Sequence, residues 1–408
     1  MNPKQWETKK IGDLVSLEYG AGLIENDRSG VGYPVYGSNG IVGYHRKYMI
    51  NGPGIIVGRK GSVGAVHWSS NSFWPIDTAY YVNTQKDIDL RWFYWSLQFL
   101  GLNRLDSSTG VPGLNRNDVY RLKLEEPTHA EQYRIAEIID TIDDTIQRTE
   151  QLIAKLKSVK QGLLHDLLTR GLDENGQLRD PIAHPEQFKD SPLGIIPNEW
   201  DVYPINEIGK IVGGTTPSRV VPSYWGGIIP WITPTDMSKL RTDYISGGQD
   251  WLTQKGLDSC SAYLLPIGSI VVTTRATLGL AAITQRELAT NQGFKNIITN
   301  DGWDNRFVCY KIRALSNEMV RRASGTTFLE ISGTQFALLE IAAPAPGSNE
   351  QDMIASAIAA HNQRIATEEI YLEKLKAIKK GLMHDLLTGK VMVNLNKEEQ
   401  ENEDLHHS

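Results

Sequence analysis

Cysteine is nearly absent from this chain: Cys260 and Cys309 are the only two in 408 residues. Two thiols cannot build a disulfide framework, so the fold must rest on buried apolar surface, and a reducing, cytoplasmic setting is expected. No apolar run approaches the ~20 residues that cross a bilayer. Residues 1–10 are polar and include Trp6, unlike a secretory leader. There is no GxGxxG, no GxxxxGK[ST] phosphate loop, and no Cys/His spacing suited to zinc. A strong charge of one sign is also missing. The net charge is −6, with residues 1–128 at +2, 129–190 at −4, 191–346 at zero and 347–408 at −4. That balance argues against a free-standing nucleic-acid binder but leaves room for local basic patches on the near-neutral segments.

What the chain does contain is itself, twice. Leu156-Lys157-Ser158-Val159-Lys160-Gln161-Gly162-Leu163-Leu164-His165-Asp166-Leu167-Leu168-Thr169 returns as Leu375-Lys376-Ala377-Ile378-Lys379-Lys380-Gly381-Leu382-Met383-His384-Asp385-Leu386-Leu387-Thr388. Pro3/Trp6 pairs with Pro197/Trp200, Pro127 with Pro344, and Glu131-Gln132 with Glu350-Gln351. A period of half the chain means a duplicated domain rather than a solenoid. The offset grows from 194 at the tryptophans to 219 at the helix ends, so the second copy holds about 25 extra residues in its globular part.

Residues 1–128 and 199–346 read as two globular domains of mixed α and β character. Short runs such as Gly54-Ile55-Ile56-Val57-Gly58 and Gly268-Ser269-Ile270-Val271-Val272 are bounded by turn residues and suggest strands. Apolar spacing suggests one helix near residues 90–105 and another near 305–323. Residues 129–170 and 347–389 read as long helices, opened by the capping-box patterns Thr128-x-x-Glu131 and Ser348-x-x-Gln351. Their apolar seams are read as Ile135, Ile138, Ile142, Leu152, Leu156, Val159 and Leu163 in the first, with Thr145 and Thr149 as polar gaps, and Ile354, Ile358, Ile365, Leu372, Leu375, Ile378, Leu382 and Leu386 in the second. Helices of about 40 residues would extend ~60 Å and need a partner for the seam. A pseudo-twofold arrangement of the halves would make the two antiparallel, as a coiled coil separating the domains. Residues 171–198 are expected to form a linker, and the acidic tail at 390–408 to be disordered.

This plan resembles the specificity subunit of type I DNA restriction–modification systems. The resemblance reaches to about Lys390 and rests on the duplicated Pro/Trp starts, Trp74-Pro75-Ile76-Asp77-Thr78-Ala79-Tyr80-Tyr81-Val82, Ala289-Thr290-Asn291-Gln292-Gly293-Phe294, Phe188-Lys189-Asp190-Ser191-Pro192-Leu193-Gly194, and the two similar helix ends. It implies that each globular domain is a target-recognition domain reading one half of a split double-stranded DNA sequence. The helices would then set the gap and dock two adenine-methyltransferase (modification) subunits, with restriction subunits joining to cleave. The resemblance assigns S-adenosylmethionine, Mg and ATP to those partners, with no cofactor, metal or catalytic residue in this chain and no membrane contact. No Asn/Asp-Pro-Pro-Tyr/Phe adenine-methylation motif is present. A coiled-coil adhesin or glycan-binding protein is the alternative reading.

DNA contact calls for forked or hydroxyl side chains at loop tips and for cations near phosphate. In the first domain the candidates are Arg59, Lys60 and Ser62 between glycines, Arg46 and Lys47 after Tyr44-His45, and Ser108, Thr109, Asn115 and Arg116. A charged hairpin turn, a solvated strand end and a polar loop would look the same. In the second domain they are Thr215, Thr216 and Arg219, then Thr274 and Arg275 in the place of Arg59-Lys60, then Asn291, Gln292 and Lys295, and Thr326 and Thr327. The Asn-Gln-Gly run recurs across a family that reads different sequences, so it is expected to shape the domain. The tryptophans are expected in core and rim.

Overall fold

The computed structural model describes residues 6–84, 86–105, 113–325 and 329–395. The chain forms two compact units. One comprises Met1–Ile153 and Glu368–Ser408, the other Ala154–Thr367. The boundary falls inside the two long helices, so each unit takes a globular portion and a segment of each helix.

The first unit is built around a four-stranded antiparallel sheet ordered Val15–Tyr19, Ala79–Thr84, Gly54–Gly58, Val66–Ser69. The Gly54–Gly58 strand is buried on both faces, as its unbroken apolar run requires. A three-stranded sheet places Tyr33–Gly37 between antiparallel Gly40–His45 and parallel Trp74–Pro75. The helix Leu90–Leu100 starts at Asp89, whose carboxylate accepts the Trp92 N–H at 2.7 Å, and stops at Gly101, where φ is +63°. That stop divides the single helix expected near 90–105, and Leu102–Leu105 continues as a 3-10 turn.

The second unit repeats the plan. Gly209–Gly213, Phe294–Thr299, Ile270–Thr273 and Ala281–Thr284 follow the same order, and Tyr244–Ile245 adds a fifth strand at the edge. Trp225–Ile232 lies between Asp250–Leu252 and parallel Ala289–Thr290, as Tyr33–Gly37 does in the first unit. The extra length of this copy now has a place. Only Ser38 and Asn39 separate Tyr33–Gly37 from Gly40–His45, whereas residues 233–249 separate the matching strands here. Residues 253–269 likewise replace the shorter 46–53. Asn305–Ala314 and Ser316–Arg322 form two helices, parted at Leu315, where one was expected. Cys260 and Cys309 are both free thiols, and burial pushes that of Cys309 up to about 11.

The long helices are His129–Thr169 and Asn349–Leu387. Thr128 and Glu131 form the expected reciprocal cap, at 2.9 and 3.4 Å. The second start differs. The Ser348 hydroxyl accepts the Glu350 N–H at 3.2 Å, and Gln351 reaches backward instead, donating to the Ala345 carbonyl at 3.1 Å and accepting the Asp304 N–H at 2.9 Å. Gln132 does the same in the first unit, accepting the Asp89 N–H at 2.8 Å and donating to the Pro127 carbonyl at 2.9 Å. Each glutamine thereby ties a long helix to the start of its unit's globular helix.

Within each unit the two helix segments run antiparallel. In the first, Ile142, Ile146, Ile153, Leu372 and Leu375 form one cluster, Lys376 pairs with Glu150 at 3.0 Å, and Lys379 pairs with Asp143. In the second, Leu167 and Leu168 share a core with Ile354 and Ile358, and His361 Nε2 meets the Leu156 carbonyl at 2.9 Å. The seam is not quite the expected one. Ile153 takes the buried place and Leu152 is only half-buried, while Val159 and Ile378 are exposed at 50% and 51%. The buried series Ile139, Ile146, Thr149, Ile153, Leu156 obeys a three-four alternation that a choice of apolar letters alone misses. Thr149 is tolerated there because its hydroxyl donates to the Thr145 carbonyl at 2.8 Å. Ile135 and Ile138 face the first unit's globular core, as Leu382 does, rather than a coiled-coil seam. Ile354, Ile358 and Leu163 belong to the core of the second unit, while Ile365 is buried at 7% exposure.

Residues 171–198 are ordered by a Phe188–Ser191/Gly194–Pro197 hairpin and by Arg179, which is buried against Glu350. Residues 390–395 continue past the second helix, with Val393 on the first unit's core. The rest of the acidic tail lies outside the described residues. Among the described residues no helix is long and apolar enough to cross a membrane.

Candidate nucleic-acid interface

In the first unit the strand Gly54–Gly58 delivers Arg59 and Lys60 to a tight turn. A Cβ on Gly58 would lie 2.2 Å from the Ser62 carbonyl, and Gly61 has φ +79°, so this turn requires its glycines. The Arg59 and Lys60 amides both donate to the Thr78 carbonyl, at 2.9 and 3.1 Å. The Arg59 guanidinium donates to the Asp77 carbonyl at 2.8 Å and lies 4.9 Å from the centre of the Tyr19 ring. Arg116 approaches the same ring at 5.2 Å. Two cations thus share one aromatic ring. Tyr80 completes the wall, its hydroxyl donating to the Leu114 carbonyl at 3.1 Å, and its acidity is lowered by burial and by its contact with Tyr19.

Tyr19, Arg59, Lys60, Tyr80, Asn115 and Arg116 line a concavity of about 700 Å³, and none of its described lining residues is a carboxylate. Three cations with no carboxylate among the described lining residues give a site for an anion. Ser62 sits exposed beside it on the turn. Arg46 and Lys47 are exposed at the end of the strand Gly40–His45 and do not line this concavity. Ser108 and Thr109 lie outside the described residues, as do Thr326 and Thr327 of the second unit.

The second unit brings its candidates together differently. Gly214 packs so closely that a Cβ would lie 1.9 Å from the Asn291 carbonyl oxygen. The Thr215 amide donates to the Thr290 carbonyl at 2.9 Å, and the Thr216 hydroxyl bonds to the Gln292 side chain. The loop of Thr215, Thr216 and Arg219 is therefore pinned onto Asn291-Gln292. Asn291 turns inward, its side-chain oxygen accepting the Gly293 N–H at 2.9 Å, while Gln292 stays exposed. Arg219 lies on the Trp225 ring at 3.9 Å and the Trp231 ring at 4.9 Å, and its Nη2 donates to Asp250 at 2.7 Å.

Thr274 leaves the set of surface candidates. It is fully buried just past the strand Ile270–Thr273, where its amide and its hydroxyl both donate to the Gly293 carbonyl, at 2.8 and 3.3 Å. Arg275 remains at the surface, 3.7 Å from Glu330. Lys295 is half-buried beside Gly333. Tyr19, Trp225 and Asp250 were not legible as site residues. For Tyr19, a ring beneath a distant arginine leaves no local pattern, although an aromatic at the end of a strand next to a Gly-rich turn is a usable hint. Trp92, Trp95 and Trp231 are buried, and Trp68, Trp74 and Trp225 are half-buried, in keeping with core and rim.

The family model for the type I restriction modification DNA specificity domain matches residues 3–158 and again residues 197–377. The chain belongs to that family. The duplicated match sets aside the adhesin or glycan-binding alternative. Over 194 residues the chain is 39% identical to the type I restriction enzyme MjaIX specificity subunit of Methanocaldococcus jannaschii, an alignment covering 47% of this chain and 44% of that one. It is 27% identical over 283 residues to the putative MjaX specificity subunit of the same organism, covering 69% of this chain and 62% of that one. The matched part thus spans less than two thirds of either relative. The fold of this DNA specificity family member matches that of the type I restriction–modification S subunit of M. genitalium, with a TM-score of 0.62, 16% identity, and coverage of 97% and 98% of the two chains.

Proposed function

We propose that this chain is the DNA-reading subunit of a type I restriction–modification complex and performs no chemistry itself. Each globular portion reads one half of a split, asymmetric target, and the paired helices dock two modification subunits. Restriction subunits complete the assembly. Adenine methylation, S-adenosylmethionine, Mg and ATP belong to those partners, and the complex works in the cytoplasm.

The observation that carries this reading is the duplicated family match, in which each copy presents arginines braced on aromatic rings at its surface. The two copies differ in their surface chemistry. The first offers Arg59, Lys60 and Arg116 around Tyr19, and the second offers Arg219 beside Asp250. Unlike heads imply unlike half-sites, since base readout depends on which donors and acceptors face the groove.

The test is co-expression with the modification subunits followed by mapping of methylated adenines. The expected result is a bipartite motif with two different halves and a constant gap. A contiguous or palindromic motif, or no sequence preference, overturns the reading.

A further inference from the structure

In the second unit one arginine is held unlike a phosphate anchor. Arg219 stacks on Trp225 with its guanidinium carbon 3.9 Å from the ring centre, and Trp231 stands edge-on to Trp225 at 5.1 Å. Asp250 lies across the strands from Trp231 and accepts from Arg219 Nη2 at 2.7 Å. The two indole N–H groups hold the loop that carries Arg219, Trp225 donating to the Ser218 carbonyl at 3.1 Å and Trp231 to the Thr215 carbonyl at 3.0 Å. The arginine and aspartate side chains nevertheless keep 54% and 34% of their surface exposed.

Resting on the DNA-reading assignment, we propose that Arg219 and Asp250 together read one G·C base pair in the half-site of the second unit. A phosphate contact would displace or repel the carboxylate already bound to this guanidinium, so the pair is a poor anion site. It is a good match for a base pair. The guanidinium presents several N–H donors in a fixed plane, and guanine alone offers two adjacent acceptors, O6 and N7, in the major groove. The carboxylate beside it accepts from the N4 amino group of the paired cytosine. Contact with two indoles set nearly at right angles, together with the bond to Asp250, fixes the orientation in advance, which lowers the entropy cost of the contact. The concavity of the first unit, with three cations and no described carboxylate, is the contrasting case and suits the backbone.

The test uses the full chain assembled with its modification subunits, presented with a library of randomised DNA duplexes at several salt concentrations. Arg219→Lys keeps the charge and its pairing with Asp250 but removes the fork. It is expected to relax preference at a single G·C position in one half-site by roughly 5- to 150-fold, leaving the other half and the salt slope unchanged. Asp250→Asn serves as the second variant should Arg219→Lys unfold by thermal denaturation. It is expected to weaken discrimination at that same pair and to steepen the salt slope, because Arg219 is then unneutralised. Unchanged preference in a folded variant overturns the inference and makes the pair a structural brace. So does uniformly weaker binding by Arg219→Lys at every sequence. Wild-type complex without any sequence preference would instead overturn the DNA-reading assignment itself.

Discussion

Trp6 and Glu131 lie 125 residues apart, and the indole N–H of one donates to the carboxylate of the other at 3.1 Å. Trp200 and Glu350 repeat the bond at 3.1 Å in the second unit. Each bond joins the start of a globular portion to the first turn of a long helix, where the helix dipole favours a carboxylate. The copies have since diverged. Glu350 also accepts from the Leu172 N–H at 2.9 Å and from Arg179 at 2.6 Å, and both charged side chains are about nine-tenths buried.

That divergence predicts unequal costs for equal substitutions. Glu350→Ala leaves Arg179 buried beside partly lost partners, and is expected to cost about 3–5 kcal/mol. Glu131→Ala removes a cap and an indole acceptor but strands no buried cation, and is expected to cost about 1–2 kcal/mol. Urea unfolding of the two variants measures the difference. Equal losses would show that Arg179 finds another partner.

The helix pairing predicts which apolar residues matter. Ile153→Ala empties a buried place in the Ile146/Leu372/Leu375 cluster and is expected to cost about 2–4 kcal/mol. Ile378→Ala removes a side chain that is half in solvent and is expected to cost less than about 1 kcal/mol. Denaturant midpoints of the full chain would separate them, and a larger loss at Ile378 would mean that the seam is wrongly assigned.

Much of this architecture was readable because duplication supplies its own control. Both Pro/Trp starts, both Glu-Gln helix entries and both helix ends could be aligned without coordinates, and strands such as Gly54–Gly58 announced themselves as apolar runs between glycines. The errors have physical causes. Leu152 and Ile153 are both apolar, and only the phase of the helix decides which faces inward. Thr274 carries a polar hydroxyl that a buried carbonyl satisfies, so its type says nothing about exposure. Of the site residues that went unread, Tyr19 and Asp250 act through contacts between distant segments, and Trp225 holds an arginine of its own loop at no regular spacing.

Salt dependence should distinguish the two reading heads. Arg59→Ala removes one cation from the concavity around Tyr19. The slope of log K against log salt is expected to fall by about one unit, with all sequences weakened alike. Arg116→Ala should do the same. Binding of the assembled complex to one duplex at four or more salt concentrations measures the slope. An unchanged slope with changed sequence preference would make Arg59 a base-reading residue.

Lys311 gives a prediction in pH. Its ammonium donates to the Leu168 carbonyl at 2.5 Å and lies 4.4 Å over the Trp200 ring, fully enclosed by the second unit. Burial pushes its pKa down to about 7, and the nearby Glu350 carboxylate only partly opposes this. In the unfolded chain the same group titrates near 10.4. Between these values the unfolded state binds more protons than the folded state, so the contribution of Lys311 to stability rises with pH across that window. Below pH 7 the lysine is charged in both states and its contribution is flat. Lys311→Met removes the titration while keeping a chain of similar length. The stability of wild type minus that of Lys311→Met is therefore expected to climb from pH 7 to pH 10, measured by urea unfolding at fixed ionic strength. A flat difference would mean that the Trp200 ring and Glu350 keep the ammonium charged throughout, with its proton held as tightly as in water.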